Sequence, residues 1–276
     1  MDLNSITEIA RPRARTELLD WRSGDAWLAG GTWLFSEPQP QLRRLIDLTA
    51  LGWPAWRASP RGLEIAATCT IAELDALTLS PEWIAAPLIN QCCRSFLASF
   101  KIWNAATVGG NICMSLPAGP IIALTTALEG VCTIWSPGGK DRRTSVPDLV
   151  VGPQRNSLAP GELLRMIELP ASALIKRTAF RQISLTPLGR SAALIIGSLD
   201  PCTKSFSLTV TAATASPIRI EFSRMPSRTT LAERLLFELP DAAYFSDPHG
   251  TPAWRRHMTL ELAEQIRCEL SGGTHA

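Results

Sequence analysis

Two pairs of adjacent glycines are the clearest candidates for chemistry in this sequence. They lie in Ala29-Gly30-Gly31-Thr32 and Val108-Gly109-Gly110-Asn111, each with an apolar residue before the pair and a small hydrogen-bonding side chain after it. Because glycine has no Cβ, it adopts positive φ readily and lets another group approach the main chain closely. Successive backbone N–H groups in such a turn converge on an anion, and a nearby helix start adds its positive end. The pattern therefore favours a phosphate site made of main chain.

The standard nucleotide-binding signatures do not occur. No G-x-G-x-x-G follows a strand, and Gly138-Gly139-Lys140 lacks the first glycine and the Ser or Thr of a Walker loop. A single glycine pair more often marks a plain turn, and we expect one at Gly138-Gly139. The two pairs that share a pattern come from separate parts of the chain, so together they could hold a diphosphate from both sides.

Composition and charge exclude several classes of function. The chain has 276 residues, of which 46% are hydrophobic and 19% charged, a globular balance with room for two modest domains. Its net charge of +2 gives no basic footprint for a nucleic acid. No stretch reaches the roughly 20 apolar residues of a membrane span, and the N-terminus carries no apolar segment of signal-peptide length. We therefore expect a cytoplasmic protein that binds no nucleic acid and does not insert into a membrane.

Side chains that could catalyse a reaction or bind a metal are scarce. The sequence has three histidines, no H-E-x-x-H and no G-x-S-x-G, and its seven cysteines lack the close repeated spacing of zinc or iron–sulfur sites. This scarcity is typical of a protein in which a cofactor performs the difficult chemistry while the chain positions it.

The elements that must position the glycine loops alternate in the first 170 residues. A capping box, Thr70-Ile71-Ala72-Glu73, predicts a helix start. The patterns further predict a helix over 13–22, strands at 26–29, 45–48, 63–67 and 163–169, a hairpin over 131–135 and 143–146, and helices reaching 96 and over 121–128. After Pro170 we predict three strands, at 178–185, 192–199 and 205–213, then two helices, the last beginning at Thr251-Pro252. The boundary falls near residues 170–176.

Several segments together resemble a known family. AGGTWL (29–34) and ATVGGN with PAG (106–111 and 117–119) resemble the two flavin-binding loops of the FAD-binding medium subunit of the xanthine dehydrogenase and carbon monoxide dehydrogenase family, the molybdenum hydroxylases. GELLRMIELP (161–170) is similar to the family strand that edges the flavin ring. AFRQISLTPLGRSAALIIGS (179–198) and WRRHM (254–258) extend the likeness over nearly the whole chain.

The resemblance implies an α+β fold in two domains. The N-terminal FAD-binding domain would occupy residues 1–173, with α/β subdomains at about 1–55 and 56–173. The C-terminal domain, residues 174–276, would consist of a small antiparallel sheet flanked by helices. These limits agree with the boundary that the strand and helix patterns predict.

The resemblance also implies which residues hold the cofactor. The first loop would wrap the pyrophosphate with backbone donors, the second would hold its other side, and Leu163 and Leu164 would present backbone to the isoalloxazine edge. Leu97, or an aromatic neighbour such as Phe96 or Phe100, would lie near the ring. The implied FAD-binding residues are Leu28, Ala29, Gly30, Gly31, Thr32, Trp33, Leu34, Leu97, Ala106, Thr107, Gly109, Gly110, Asn111, Met114, Gly119, Pro120, Leu163, Leu164 and Arg190.

Two positions depart from the family pattern. Pro120 stands where the family often has an acid that could bind a flavin hydroxyl. Ala192 stands where some members place a lysine near the pyrimidine end of the flavin, and Arg190 lies close enough to substitute for it. Neither change affects the backbone contacts that the two glycine loops would make with the pyrophosphate.

The implied function is electron transfer between subunits. A molybdenum cofactor on a large partner would take electrons from the substrate, and 2Fe–2S clusters on a small partner would pass them to FAD on this chain and onward to NAD or another acceptor. The chain would thus be a FAD-dependent oxidoreductase subunit that is active only with its partners. Two alternatives stay open: a non-catalytic scaffold that has lost flavin through the changes at Pro120 and Ala192, or a free-standing FAD oxidoreductase of related fold.

Overall fold

The structure is a computed structural model that describes residues 3–272; the predicted domain ends at residues 1–2 and 273–276 lie outside the described residues. The strands are β1 (Glu8–Ala10), β2 (Asp25–Leu28), β3 (Arg44–Asp47), β4 (Trp56–Ser59), β5 (Gly62–Ala66), β6 (Val131–Trp135), β7 (Arg142–Ser145), β8 (Val150–Gly152), β9 (Arg155–Asn156), β10 (Leu163–Pro170), β11 (Arg177–Ile183), β12 (Ala193–Leu199), β13 (Phe206–Thr211) and β14 (Ile218–Phe222). The α-helices are α1 (Ile71–Asp75), α2 (Ala86–Ser95), α3 (Phe100–Trp103), α4 (Val108–Met114), α5 (Pro120–Ala127), α6 (Val146–Leu149), α7 (Ala171–Leu174), α8 (Arg228–Glu238) and α9 (Pro252–Ser271).

The first sheet is small and parallel, in the order β1-β3-β2. The predicted helix over 13–22 is wrong: only a single 3₁₀ turn, Arg15–Leu18, forms between β1 and β2. Within that turn only Leu18 is buried, and Ala14 before it supplies no side-chain cap. Without an apolar stripe or a cap, a longer helix has nothing to offset the cost of its nucleation.

The second sheet has five strands in the order β4-β5-β10-β6-β7, all antiparallel to their neighbours. The predicted hairpin is confirmed, with Cys132 on β6 opposite Thr144 on β7. The predicted capping box is confirmed as well. Thr70 Oγ1 accepts from the backbone N–H of Glu73 at 3.1 Å, and the Glu73 carboxylate accepts from the backbone N–H of Thr70 at 2.8 Å.

The third sheet is antiparallel, in the order β11-β12-β13-β14. Its edge strand β14 was missed by the sequence patterns because only Ile220 among its five residues is buried. One face of this sheet packs on α9, whose Ile266 and Leu270 are buried, and the other packs on the fully buried helix α5. Since α5 also contacts α2 and α4, it joins the C-terminal sheet to the region of the second glycine pair.

Candidate functional site

The first glycine loop follows directly from β2 and keeps its amides free. Phe35 N–H donates to the Gly31 carbonyl and Ser36 N–H to the Trp33 carbonyl, both at 2.9 Å, which closes a tight turn. Gly31 has φ +68°, in the region that favours glycine. Within residues 3–272, the backbone N–H groups of residues 30–34 donate to no protein acceptor. Five half-buried donors in succession therefore remain for a ligand.

A buried ion pair fixes the strand that carries this loop. The Arg44 guanidinium on β3 donates to both Asp25 oxygens at the start of β2, from Nε at 2.9 Å and from Nη2 at 2.5 Å. The side chain of Asp25 is 2% exposed and that of Arg44 10%. Hydrogen bonding to Arg44 lowers the pKa of Asp25, so the carboxylate is charged at neutral pH.

The second glycine pair lies inside the first turn of α4, rather than in a turn ahead of a helix. Thr107 caps this helix, and its Oγ1 accepts from Gly110 N–H at 3.1 Å. Gly109 N–H donates to the Ala67 carbonyl at 2.8 Å. The amides of this pair thus have partners within the chain, in contrast to those of the first loop.

The role of Gly109 is close packing. A Cβ built on it would lie 2.5 Å from Ala67 Cβ and 2.8 Å from the Ala67 carbonyl oxygen. Only a residue without a side chain lets the start of α4 sit directly on the end of β5. Gly110, by contrast, faces the open space between the two loops.

The two loops touch through Gly30. A Cβ on this residue would lie 1.7 Å from the carbonyl oxygen of Ala105, so the first loop rests directly on the backbone that enters α4. Segments far apart in the sequence therefore form the two walls of a single cleft. The two loops thus lie close enough to face a single diphosphate, and that they bind one stays a prediction.

The cleft between the loops has a volume of about 330 Å³, and the residues that line it within the described part of the chain include no charged side chain. Predicted site residues that line it are Ala29, Gly30, Gly31, Thr32, Trp33, Leu34, Ala106, Thr107, Gly110, Asn111 and Met114. Asn111 Oδ1 accepts from Ile121 N–H at 3.2 Å, which holds the side chain at the cleft wall. Burial raises the pKa of the Cys113 thiol, also in the wall, to about 12, so this sulfur is neutral at physiological pH.

A second cavity of about 330 Å³ continues from the first. The two share Phe96, Asn111 and Leu116. The predicted site residues Leu97, Gly119, Pro120 and Arg190 line this second space. Arg190 is the one charged side chain among the residues that line it in the described chain.

Four predicted site residues line neither cavity. Leu28 ends β2 behind the first loop, and Gly109 packs on Ala67. Leu163 and Leu164 are buried on β10: Leu163 pairs with Trp135 and packs in the cluster of Leu18, while Leu164 belongs to the central core. Ala192, noted as a departure from the family pattern, is fully buried and also lines neither cavity.

Three cleft residues were missed from the sequence. Trp27 lies on β2 and donates from Nε1 to the Glu162 carbonyl at 2.9 Å, and Cys113 and Leu116 lie at and just after the end of α4. A helix predicted from residue 108 would have shown Gly110, Cys113 and Met114 on one face by their i, i+3, i+4 spacing. No local signal marks Trp27.

The residues present suit a flavin dinucleotide. The free amides of the first loop match a pyrophosphate, which backbone N–H groups can hold without a cation. Trp27, Trp33 and Phe96 offer apolar and aromatic surface to ring systems. Ligand sites typically have volumes of about 300–1,000 Å³ and combine apolar walls with a few polar groups. The two adjoining cavities match this description in both volume and lining.

Two other features, a cluster of metal ligands and a membrane-spanning helix, are absent from residues 3–272. These residues contain no group of three or more His, Cys, Asp or Glu side chains placed to hold a metal ion. No helix in the same range is both long enough and apolar enough to span a membrane.

Several solved structures share this fold. The chain aligns over 97% of its length with 99% of a chain of reconstituted CO dehydrogenase from Oligotropha carboxidovorans, at a TM-score of 0.80 and 20% identity. It aligns over 98% with 98% of a chain of quinoline 2-oxidoreductase from Pseudomonas putida 86, at 0.78 and 18%. For a CO dehydrogenase from Hydrogenophaga pseudoflava the coverages are 95% and 96%, at 0.78 and 18%. These similarities establish the α+β fold.

The search of curated proteins and the search of family models gave different results. No curated protein matches the chain significantly by sequence. A family model described as the FAD binding domain in molybdopterin dehydrogenase matches residues 6–172, which is more than half of the chain and includes both glycine loops. The chain thus belongs to the family of FAD-binding domains of molybdopterin dehydrogenases.

Proposed function

We propose that this protein is the FAD-binding electron-transfer subunit of a molybdenum-hydroxylase-type dehydrogenase. It accepts electrons from iron–sulfur clusters on a small partner subunit, which receive them from a molybdenum-cofactor subunit, and passes them to NAD or another acceptor. The observation that carries the proposal is the contact of the first glycine loop, with five free amides, against the segment that opens α4.

The chain's own residues divide the work of holding the dinucleotide. The amides of residues 30–34 and the Thr32 hydroxyl hold the pyrophosphate from one side. Thr107 and Asn111 face it from the other side, while Gly110 leaves the space between them open. Bound FAD supplies the ability to exchange electrons singly or in pairs.

The second cavity is suited to the ring end of the cofactor and to its access to an acceptor. Phe96, Leu97 and Leu188 line it with apolar surface, and Leu97 and Leu188 are 47% and 85% exposed. Arg190 supplies positive charge there. In this proposal Pro120, at the start of α5, contributes apolar surface rather than a hydroxyl contact, because its ring carries no hydrogen-bonding group. Any contact of Leu163 and Leu164 with the ring edge is made by their backbone in this proposal, because both side chains are buried in core clusters.

We also propose how the chain divides into domains and where the assembled enzyme is located. We divide the chain into a FAD-binding domain at 1–173, with subdomains at about 1–55 and 56–173, and a C-terminal domain at 174–276. We place the assembled enzyme in the cytoplasm. We further propose that activity depends on partner subunits that carry the molybdenum and iron–sulfur centres; the described residues themselves contain no group of three or more side chains placed to hold a metal ion.

Flavin binding is the direct test. The purified chain is titrated with FAD and followed by its visible absorption and by flavin fluorescence. We expect stoichiometric binding with the oxidised-flavin bands retained after desalting. A chain that shows no flavin bands after incubation with FAD would be a scaffold without a redox role, and the proposal would be wrong.

Assembly is tested separately. The tagged chain is purified from its native cells, and the polypeptides that accompany it are identified along with their iron and molybdenum content. We expect both partner subunits. A flavin-loaded chain that travels alone and is reduced by a substrate without partners would instead be a free-standing oxidoreductase.

A further inference from the structure

A fully buried arginine lies behind the second cavity. Arg255, in the first turn of α9, has 0% exposure, although arginine is almost never fully buried unless it is paired. It donates from Nε to the Gly250 carbonyl at 3.1 Å and from Nη2 to the Asp247 carboxylate. Its Nη1 donates to the carbonyls of Ala192 and Ala212, each at 2.5 Å.

The two carbonyls that accept from Arg255 Nη1 belong to segments that border the proposed flavin site. Ala192 follows Arg190 and Ser191, which line the second cavity. Ala212 has φ +64°, which is costly for a residue with a side chain, and its N–H donates at 2.8 Å to the carbonyl of Pro117. Pro117 lies between Leu116 and Ala118, which also line that cavity. The guanidinium therefore connects α9 to both rims of the cavity.

We propose that Arg255 is a positioning residue for the flavin site: it holds the 190–192 segment and the 116–119 turn in place through Ala192 and Ala212. The inference rests on the proposed function. A buried guanidinium in a fixed fork can bind several carbonyls at once, whereas a lysine ammonium offers three donors from one nitrogen and cannot span these acceptors. The positive φ of Ala212 persists only where surrounding contacts enforce it. Arg255 and Pro117 supply two of these contacts, beside the local bond from Ala213 N–H to the Thr211 carbonyl at 2.7 Å.

The test compares Arg255→Lys with one matched variant. Arg256→Met changes the neighbouring arginine on the same helix, which is 42% exposed and pairs with Asp241 at the surface. FAD dissociation constants are measured on each protein at a temperature where it is fully folded, together with the visible circular dichroism of the bound flavin.

We expect Arg255→Lys to raise the FAD dissociation constant about tenfold and to change the flavin dichroism, and Arg256→Met to bind within about twofold of the wild type. A purely structural arginine would give a less stable Arg255→Lys protein whose folded form binds FAD normally with an unaltered spectrum, and this outcome would overturn the inference. If the wild type itself fails to bind FAD, the proposed function fails instead.

A second measurement, made on the wild-type protein, tests the inference even if Arg255→Lys does not fold. Hydrogen exchange on the wild-type protein reports the opening of the Ala212 N–H bond to Pro117 and of the Ala192 N–H bond to Ile183. We expect FAD to slow exchange at both amides by about tenfold or more, because the ligand and the Arg255 contacts stabilise the same arrangement. Unchanged exchange at both amides in FAD-saturated protein would contradict the inference.

Discussion

The substitution Gly30→Ala tests the contact between the two loops. Its new Cβ would lie 1.7 Å from the carbonyl oxygen of Ala105 and 2.7 Å from the carbonyl carbon. These are backbone atoms, so no side chain can rotate away. To reach an ordinary contact of 3.4 Å or more, the two segments must separate by roughly 1.7 Å. This displacement would pull the amides of residues 30–34 away from Thr107 and Asn111.

The expected cost follows from the size of that displacement. Overpacking of one methyl group costs about 1–3 kcal/mol, and this site lies at the upper end because backbone must move. Since about 1.4 kcal/mol corresponds to a tenfold change in affinity, the FAD dissociation constant should rise about tenfold to 100-fold. Any strain that remains in the free protein should appear as a lower free energy of unfolding.

Fluorescence titration with FAD and urea unfolding measure the two quantities on the same preparation. Gly138→Ala is the matched control, because its Cβ meets nothing within 4 Å and its φ is not positive. It should leave FAD affinity unchanged and alter the free energy of unfolding by no more than about 0.5 kcal/mol. A Gly30→Ala protein with wild-type affinity and wild-type stability would refute the contact between the walls.

Three further predictions concern the scaffold. Gly109→Ala should lower the free energy of unfolding by about 1–3 kcal/mol in urea denaturation, because its Cβ would overlap Ala67; an unchanged midpoint would contradict that packing. Asp25→Asn should cost about 3 kcal/mol at pH 7, the lower end of the range for a broken buried pair, because Arg44 loses its buried partner but keeps ion pairs with Glu8 and Asp20. Because the pKa of Asp25 is lowered in the fold, this stabilisation is present at neutral pH and is lost as the pH falls through that lowered value; acid titrations of unfolding should show this component in the wild type and lack it in the variant. Thr70→Ala should lower the thermal midpoint by an amount that corresponds to about 1 kcal/mol, through loss of the N-cap, and an unshifted midpoint would show that the cap is dispensable.

Several features of this protein follow from local sequence alone. The capping box at Thr70 and Glu73 needs only contacts three residues apart, and the β6–β7 hairpin needs only neighbouring strands. The first glycine loop was recognisable because adjacent glycines and a following threonine are a local pattern, and its amides are free because its own turn uses only the Phe35 and Ser36 amides. The resemblance carried by both loops pointed to the family to which the chain belongs.

Other features depended on groups distant in sequence. Local pattern placed the second glycine pair in an anion-binding turn. In the fold, the Ala67 carbonyl and the Thr107 cap take up its amides, and the helix begins before the pair. The burial of Leu163 and Leu164 away from the cleft and the burial of Arg255 also arise from packing between elements. Hydrogen bonds and steric contacts act over a few ångströms, so a sequence determines them only where its neighbours along the chain are also neighbours in space; elsewhere the tertiary structure decides.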